Sequence, residues 1–235
     1  MSTGEEYIAA ITAREADIRA RHAFLHLATT LAAPGSSIFD FGAGPGIDAK
    51  HYAENGFHVL TYDVDPQMRD CQLTYCRQEI ARGQVMLCGE FERDGIEYVG
   101  RLAHGLNVDL VTANFAPFNL IDDPHWYFFR FHGLVGAHGK LLLSVLNPYF
   151  LGDMQYGWWW RNVTRLLLRG EYSVSWGGGQ IYRRSPYRFE QMAEPYFRLR
   201  AIMRGLPDDV ERRGLRRRFS LATCQYLFLL FDKCP

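Results

Sequence analysis

Residues 38–46 read IFDFGAGPG, an apolar run that passes directly into a turn containing three glycines. An acid, Asp63, follows at the end of the next apolar run, in the stretch YDVDP at 62–66. A strand, a glycine-rich turn and an acid at the end of the second strand are typical of sheets that bind a nucleoside-containing ligand. The stretch therefore predicts a ligand site at the carboxyl end of the first strand.

Apolar strands and helices alternate along most of the chain. Strands are predicted at SSIFDF, FHVLTYD, QVMLCG, VDLVTAN and GKLLLSVLN, with helices between them. This alternation predicts βαβ units around a mostly parallel sheet. Two further strands, FRLRAIM and TCQYLFLLF, are separated by the arginine-rich stretch 207–218. That stretch is too short for an obvious crossover helix, so a reversed strand is expected there.

The composition is that of one globular domain. The 235 residues are 48% hydrophobic and 14% aromatic, and Lys plus Arg equal Asp plus Glu at 26 each. A single domain over 1–235 is expected, with a helical cap at 1–33, and the charge balance disfavours nucleic acid as the main partner. No stretch has the pattern of a secretory signal or a membrane span, and the five cysteines form no CxxC pair. A cytoplasmic protein with reduced thiols is therefore expected.

The glycine turn argues against two common nucleotide ligands. A Walker A loop requires GK[ST] after the turn, and this sequence does not have it. A dinucleotide fingerprint requires a small residue where Ile47 stands, and Pro45 removes an N–H that would help to bind a pyrophosphate. Both departures favour a ligand that contains ribose and adenine but no phosphate.

Over residues 36–147 the chain resembles class I S-adenosylmethionine-dependent methyltransferases. Four motifs carry the resemblance in order, IFDFGAGPG, TYDVDPQM, LCGEF and VDLVTANF, each at the end of a predicted strand. The resemblance implies a Rossmann-like, doubly wound α/β fold whose mostly parallel seven-stranded sheet has an antiparallel last strand. It also implies methyl transfer as the activity and S-adenosyl-L-methionine as the cofactor.

The resemblance implies a set of cofactor-binding residues. Asp63 would accept hydrogen bonds from both ribose hydroxyls, since a carboxylate is an acceptor only. Val64 and Met68 would flank the adenine, and Asn114 and Phe115 would lie beside the sulfonium. The whole set is Asp40, Gly42, Ala43, Gly44, Gly46, Asp63, Val64, Met68, Glu90, Phe91, Asn114 and Phe115.

Two of the acids near these motifs have a competing structural interpretation. Asp65 precedes Pro66 and is expected to cap the following helix. For Asp40, support of the glycine turn is as strongly expected as a contact with the cofactor.

Residues 148–186 interrupt the alternation at the place where small-molecule methyltransferases of this class carry a substrate lid. A helical and aromatic lid is expected there, in which some member of Trp158–Trp160 or Trp176 lines an apolar pocket. The stretch SWGGGQ would give the lid the flexibility to close. The methyl acceptor is accordingly expected to be a small molecule that offers an O or N atom.

No strong acid–base catalyst stands out. Asn114 is a candidate for positioning the reactants, and His125, in the helix after the fourth strand, is a candidate base. His22 and His26 lack the glutamate of HExxH and a third ligand, so no metal site is expected. Other side chains could meet an anionic part of the acceptor or the cofactor, with solvent the expected neighbour of most. They are Arg161, Arg165, Arg183, Arg184 and Arg188 in the lid, and Tyr7 and Arg14 near the N-terminus.

Three alternatives stay open at this point. The chain could use S-adenosylmethionine for other chemistry, such as an intramolecular ring closure. It could methylate nucleic acid, although NFAPFNL at 114–120 reproduces little of the NPPY box. It could also bind the cofactor without turnover. A monomer or a homodimer with a small-molecule partner and no membrane contact is expected.

Overall fold

The computed structural model describes residues 14–88, 108–205 and 221–235. Glu90, Phe91 and the arginine-rich stretch 212–218 lie outside these ranges. Within them the chain forms one seven-stranded sheet with helices on both faces, and a separate two-stranded hairpin. No helix in the described ranges is long and apolar enough to cross a membrane.

The seven strands of the sheet, and the described helices between them, follow the predicted order. The helix predicted between the third and fourth strands lies outside the described residues. The strands are β1 (Ser37–Phe41), β2 (His58–Tyr62), β3 (Val85–Leu87), β4 (Val108–Ala113), β5 (Val135–Leu146), β6 (Glu171–Trp176), β7 (Gly179–Arg184), β8 (Phe197–Arg204) and β9 (Tyr226–Lys233). The α-helices are α1 (Glu15–Leu31), α2 (Ile47–Glu54), α3 (Pro66–Tyr75), α4 (Arg77–Ala81), α5 (Pro124–Leu134), α6 (Gly157–Arg169) and α7 (Pro186–Ala193).

The sheet has the order β3-β2-β1-β4-β5-β9-β8. The strands from β3 to β5 in this order are parallel, whereas β9 runs antiparallel to both of its neighbours. The order reverses at β1, so the carboxyl ends of β1 and β4 diverge and leave a crevice. The predicted Rossmann-like fold with an antiparallel last strand is confirmed.

Strand β1 is buried on both faces, which explains why its sequence is apolar without strict alternation. Phe39 and Phe41 pack on one face with aromatic residues of α5 and of the loop before it. Ile38 packs on the other face with Phe24 of α1 and Tyr52 of α2. The two hydrophobic layers therefore fix β1, and with it the start of the glycine turn, from both sides.

Three helices begin with a side-chain cap followed by proline. Asp65, Asp123 and Ser185 each accept a hydrogen bond from a backbone N–H two or three residues further on, at 2.9 to 3.1 Å. Proline at the first helical position lacks an N–H that would have no partner there, so the combination defines the helix start. The cap predicted at Asp65 is confirmed. The single helix predicted after it is interrupted at Cys76, which separates α3 from α4.

The segment 148–186 contains a hairpin that the sequence interpretation did not include. A 3-10 helix (Leu151–Gln155) and α6 are followed by β6 and β7, which pair antiparallel with Trp176 opposite Gly179. Gly177 and Gly178 form the two-residue turn with φ of 57° and 84°. Two positive φ angles match the twist of a tight hairpin, so these glycines make a defined two-residue turn.

Candidate active site

A cavity of about 790 Å³ opens at the carboxyl ends of β1, β2 and β4. Its volume lies within the ~300–1,000 Å³ that is typical of small-molecule sites. The described residues that line it are Phe41, Gly42, Gly44, Tyr62, Asp63, Val64, Asp65, Met68, Asn114, Phe115, Pro117, Leu120, Ile121, Asp122, Asp123, Trp126 and Tyr127. The glycine turn and the β2 end form one part of the wall, and residues 120–127 form the other.

The glycine turn is shaped by close backbone approach. Gly42 has φ of 72°, and a β-carbon there would lie 2.8 Å from Cβ of Pro117. Its N–H donates to the carbonyl of Tyr62 at 2.8 Å. A larger residue would have to displace Pro117, so the glycine is required to bring the turn against the β4 loop.

Asp63 connects the glycine turn to the end of β2. Its Oδ2 accepts the N–H of Gly44 at 2.7 Å, and its Oδ1 accepts the N–H of Asp65 at 2.9 Å. Burial raises the pKa of the Asp63 carboxyl above its ordinary value, while these two hydrogen bonds act in the opposite direction. Each oxygen has a second lone pair, so the carboxylate can also accept from a ligand in the cavity.

The charge of the wall distinguishes between ligand classes. Asp63, Asp65, Asp122 and Asp123 line the cavity, and the lining residues that the structure describes include no lysine, arginine or histidine. A pyrophosphate would meet carboxylates with no basic side chain to pair with it. A cationic sulfonium compound with a free ribose diol suits these residues, whereas a dinucleotide does not.

The turn after β4 is strained. Phe115 and Ala116 both have positive φ angles, 57° and 65°. The left-handed region costs roughly 1–2 kcal/mol for each residue other than glycine, and such strain is concentrated at functional sites. Asn114 stabilises the turn, since its Oδ1 accepts the N–H of Phe115 at 2.9 Å and its Nδ2 donates to Oδ2 of Asp48 at 2.8 Å. The turn places Phe115 and Pro117 on the cavity wall.

The second part of the wall is aromatic, but its rings do not come from the lid. Trp126 and Tyr127 of α5 lie there, beside Leu120 and Ile121. The predicted tryptophans, Trp158–Trp160 and Trp176, are not among the lining residues. The indole N–H groups of Trp159 and Trp160 donate to carbonyls of residues 148 and 154 just before α6, and Trp158 stacks on Tyr156. Within the lid, these three rings of Trp158–Trp160 pack locally.

Comparison with known proteins identifies the family of the chain. The model of a family described as a methyltransferase domain matches residues 12–175. The chain belongs to this methyltransferase family. Its members use S-adenosylmethionine, and the chain is accordingly a methyltransferase enzyme with that cofactor. A comparison with curated proteins gave no match.

Several solved structures share the fold of this methyltransferase. One is the 1,6-didemethyltoxoflavin N1-methyltransferase of Burkholderia thailandensis with bound 1,6-didemethyltoxoflavin and S-adenosylhomocysteine, at TM-score 0.61 and 16% identity over 99% of this chain and 87% of that chain. Another is the CcbJ methyltransferase of Streptomyces caelestis, at 0.62 and 16% over 94% and 90%. A third is the geranyl diphosphate C-methyltransferase of Streptomyces coelicolor A3(2), at 0.58 and 12% over 91% and 81%.

Three residues implied as cofactor contacts lie off the cavity wall of the methyltransferase. Asp40 is 1% exposed, and its Oδ1 accepts the hydroxyl hydrogen of Thr112 at 3.1 Å behind the glycine turn. A β-carbon at Gly46 would lie 2.7 Å from Sγ of Cys76, so this glycine serves the packing of α2 on α3. Ala43 contributes its N–H to the Tyr62 carbonyl at 3.0 Å. All three support the turn, and none is among the described residues that line the cavity.

His125 also lies outside the cavity. Its Nδ1 is 2.9 Å from the carbonyl of Met192 in α7, and its ring packs beside Tyr196. Helix α5 starts at Pro124. His125 contacts α7, whereas the two residues that follow it, Trp126 and Tyr127, line the cavity. Of the two predicted catalytic candidates, Asn114 is therefore among the described lining residues and His125 is not, and both roles stay predictions.

Arg21 of α1 is a site-supporting residue that the sequence interpretation missed. Its guanidinium forms a largely buried ion pair with Asp48 and lies 4.5 Å from the ring centroid of Phe115. The N-terminal candidates were Tyr7, which lies outside the described residues, and Arg14, which is exposed and precedes α1. Arg14 and Arg21 are seven residues apart and would share one face of a helix, a spacing that could have pointed to Arg21.

Arg184 of β7 is the second supporting residue that was missed as such. It is 1% exposed, and it donates to the carbonyls of Phe118 at 3.2 Å, Ile121 at 2.8 Å and Asp122 at 2.7 Å. It also pairs with Glu171 at 3.1 Å. The hairpin is thus attached to the loop that forms the second part of the cavity wall.

Asp40 gives a prediction for the stability of the methyltransferase. Burial, and then the charge of Asp48, raise the pKa of Asp40 well above its ordinary value, and its Oδ2 has no hydrogen-bond partner in the described ranges. A raised pKa in the folded state means that stability is lost as the pH rises from the ordinary carboxyl range towards that pKa. Asp40→Asn should therefore raise the free energy of unfolding at pH 7 by about 1–3 kcal/mol.

Urea denaturation of both proteins across the pH range checks this expectation. The gain should disappear near about pH 4, where the unfolded chain also begins to bind the proton. A variant that is less stable than the parent at pH 7 would show that Asp40 is ionised there and held by Arg21.

Proposed function

We propose that this methyltransferase transfers the methyl group of S-adenosylmethionine to a nitrogen or oxygen atom of a small molecule. The cofactor would lie against the glycine turn and Asp63, and the acceptor against residues 120–127. The single observation that carries the proposal is the cavity itself, which joins these two parts in one space of about 790 Å³.

The proposed cofactor contacts are those predicted residues that lie on the described wall. Asp63 would bind the ribose hydroxyls, and Val64 and Met68 would contact the adenine. Asn114 and Phe115 would border the sulfonium. The remaining contacts of the set are Gly42 and Gly44, whose backbones face the cavity.

The acceptor part of the wall favours nitrogen over oxygen. Asp122 and Asp123 stand next to the aromatic rings of Trp126 and Tyr127 and the apolar Leu120. Carboxylates beside aromatic rings suit an amine, which is attracted by both groups. Transfer of a methyl cation equivalent to a neutral amine leaves the product nitrogen protonated, and a neighbouring carboxylate can accept that proton.

Positioning is proposed to supply most of the catalysis. Displacement at the methyl carbon requires the nucleophile, the carbon and the leaving sulfur to be in line, and well-oriented reactants gain several powers of ten in rate. The strained turn at Phe115–Ala116 is fixed by the side chains of Asn114 and Arg21, and it stands between the two parts of the cavity. All five cysteines are free, which supports the proposal of a cytoplasmic enzyme.

Methyl transfer is tested with S-adenosylmethionine labelled in its methyl group and two matched panels, amines and the corresponding alcohols. We expect label in the amine product and S-adenosylhomocysteine as the second product. Methylthioadenosine formed without any acceptor would instead show that the enzyme breaks another carbon–sulfur bond.

Parallel calorimetric titrations with S-adenosylmethionine, S-adenosylhomocysteine and NAD should show binding of the two sulfur compounds only. Turnover of oligonucleotides but of neither panel would overturn the small-molecule acceptor.

A further inference from the structure

A second concave site of about 330 Å³ lies between α6, the β6–β7 hairpin and α7. Four arginines from three different elements converge on it, and it is named the arginine cavity below. Its described lining residues are Asp122, Arg165, Arg169, Glu171, Tyr172, Ser173, Tyr182, Arg184, Arg188 and Met192. Asp122 lines both this cavity and the larger one, so the two sites adjoin.

The two acids of the arginine cavity already have partners. Glu171 pairs with Arg184 and with Arg188, each at 3.1 Å. The carboxylate of Asp122 accepts a hydrogen bond from the hydroxyl of Tyr182. Glu171 therefore faces two guanidinium groups, and the charges of Glu171 and Asp122 balance those of Arg184 and Arg188, so any excess of positive charge comes from the remaining two arginines.

Arg165 and Arg169 supply this further charge from one face of α6. Both are exposed, and neither has an ion pair or a side-chain hydrogen bond with any residue that the structure describes. The sequence of α6, GWWWRNVTRLLLR, contains no acid that could pair with them. Like charges four residues apart on a helix destabilise it slightly, and a bound anion would offset that repulsion.

We propose that the arginine cavity binds a phosphate-type anionic group of the methyl acceptor. This inference rests on the proposed function, because it assigns the anion to the molecule whose reactive atom lies in the adjoining cavity. Arginines on two helices, Arg165 and Arg169 on α6 and Arg188 on α7, approach the site from separate elements. A tetrahedral phosphate can accept from several guanidinium groups at once, whereas a planar carboxylate is satisfied by a single fork.

The phosphate could belong to a soluble ester or to a lipid headgroup. The exposed surface of α6 beside the arginines is apolar, with Trp160, Leu167 and Leu168 exposed by 55%, 75% and 87%. Apolar and basic residues side by side on one helix are a feature of interfacial helices as well as of soluble phosphate sites. The two sources share the same chemistry at the arginines, and the experiment below separates them.

The test compares the double variant Arg165→Gln/Arg169→Gln with the matched control Arg161→Gln. Arg161 lies one turn earlier on α6, is exposed and donates to the carbonyl of Gly157, and it does not line the arginine cavity. Calorimetry with inorganic phosphate should show at least about tenfold weaker binding by the double variant, since each lost charge-assisted bond contributes on the order of a decade in affinity. The control should bind phosphate as the parent does.

A second arm uses vesicles of phosphatidylcholine with and without phosphatidic acid. Binding to the anionic vesicles that the double variant loses identifies a lipid headgroup, and phosphate binding without vesicle binding identifies a soluble ester. Absence of phosphate binding by the parent, or equal loss in the control, overturns the anion site. S-adenosylmethionine is titrated into all three proteins, and we expect equal affinities. Failure of that titration in the parent would count against the proposed function and not against the anion site.

Discussion

Replacing Asp63 with alanine should weaken the binding of S-adenosylmethionine by roughly 100-fold or more. Hydrogen bonds to a charged group contribute about 1.5–3 kcal/mol each, and each 1.4 kcal/mol corresponds to a factor of ten in affinity. The proposed contact comprises two such bonds, to the two ribose hydroxyls. The variant also removes the acceptor for the N–H groups of Gly44 and Asp65, so part of the loss would come from a less ordered turn. Calorimetric titration measures the effect directly.

Asp65→Ala is the matched control for this variant. Asp65 lies on the same wall but uses its carboxylate to cap α3. Its loss should lower the free energy of unfolding by about 1 kcal/mol and change cofactor affinity far less than the loss of Asp63 does.

Because burial raises the pKa of Asp63, the affinity for the cofactor should also fall on acidification, at a higher pH than it would for an ordinary carboxylate. An unchanged affinity of Asp63→Ala for S-adenosylmethionine would contradict the proposed position of the cofactor against Asp63 and the glycine turn.

The order of strands and helices could be predicted because each element has a recognisable local sequence pattern. The inner parallel strands are largely buried on both faces and are therefore short apolar runs, and glycine, proline or a capping acid stands at most element ends. Asp63 was predictable for the same reason, since its position at the end of β2 is fixed by the strand itself. Asp65 and Asp123 cap their helices through bonds that span only two residues.

Residues whose role depends on contacts distant in the sequence were predicted poorly. The three tryptophans at 158–160 were predicted to line a pocket because large aromatic residues often do so. In the structure, two of their indole N–H groups donate to nearby backbone carbonyls. Whether His125 or Trp126 faces the cavity depends on where α5 begins and on which side α7 packs. A shift of one residue in the helix start turns every side chain by about 100° around the helix axis, which is enough to bring a different residue to the cavity.

The two arginines that support the site were missed for the same reason, because their contacts are distant in the sequence. Arginine is usually solvated, so Arg184 and Arg21 looked like surface residues in the sequence. Arg184 is buried only because three loop carbonyls and Glu171 converge on it from 13 to 66 positions away. Arg21 meets Asp48 across 27 positions and Phe115 still further along the chain. No local pattern encodes the convergence on Arg184, and for Arg21 the sequence offers only the seven-residue spacing from Arg14.

Arg184→Met should lower the free energy of unfolding by about 3–5 kcal/mol. Three loop carbonyls lose their charged donor, and a buried acceptor left unsatisfied costs about 1–3 kcal/mol, while Glu171 keeps its ion pair with Arg188. Methionine retains most of the side-chain volume, so the loss reports hydrogen bonds and charge, not a cavity. Urea denaturation monitored by circular dichroism measures it, with an unchanged m-value as the sign of an intact fold.

Arg188→Met is the matched control, because Arg188 pairs with the same Glu171 but its side chain is 34% exposed. An ion pair open to solvent contributes little, so the control should lose less than about 1 kcal/mol.

At a temperature where Arg184→Met is still folded, its affinity for the cofactor should match that of the parent, whereas its KM for the acceptor should rise. The reason is that Ile121 and Asp122 lose their anchor while Asp63 and the glycine turn keep all of their bonds. Equal stability of the two variants would mean that the guanidinium of Arg184 does not hold the loop. The hairpin would then be attached to the acceptor wall through the hydrogen bond that Asn119 donates to the carbonyl of Tyr182.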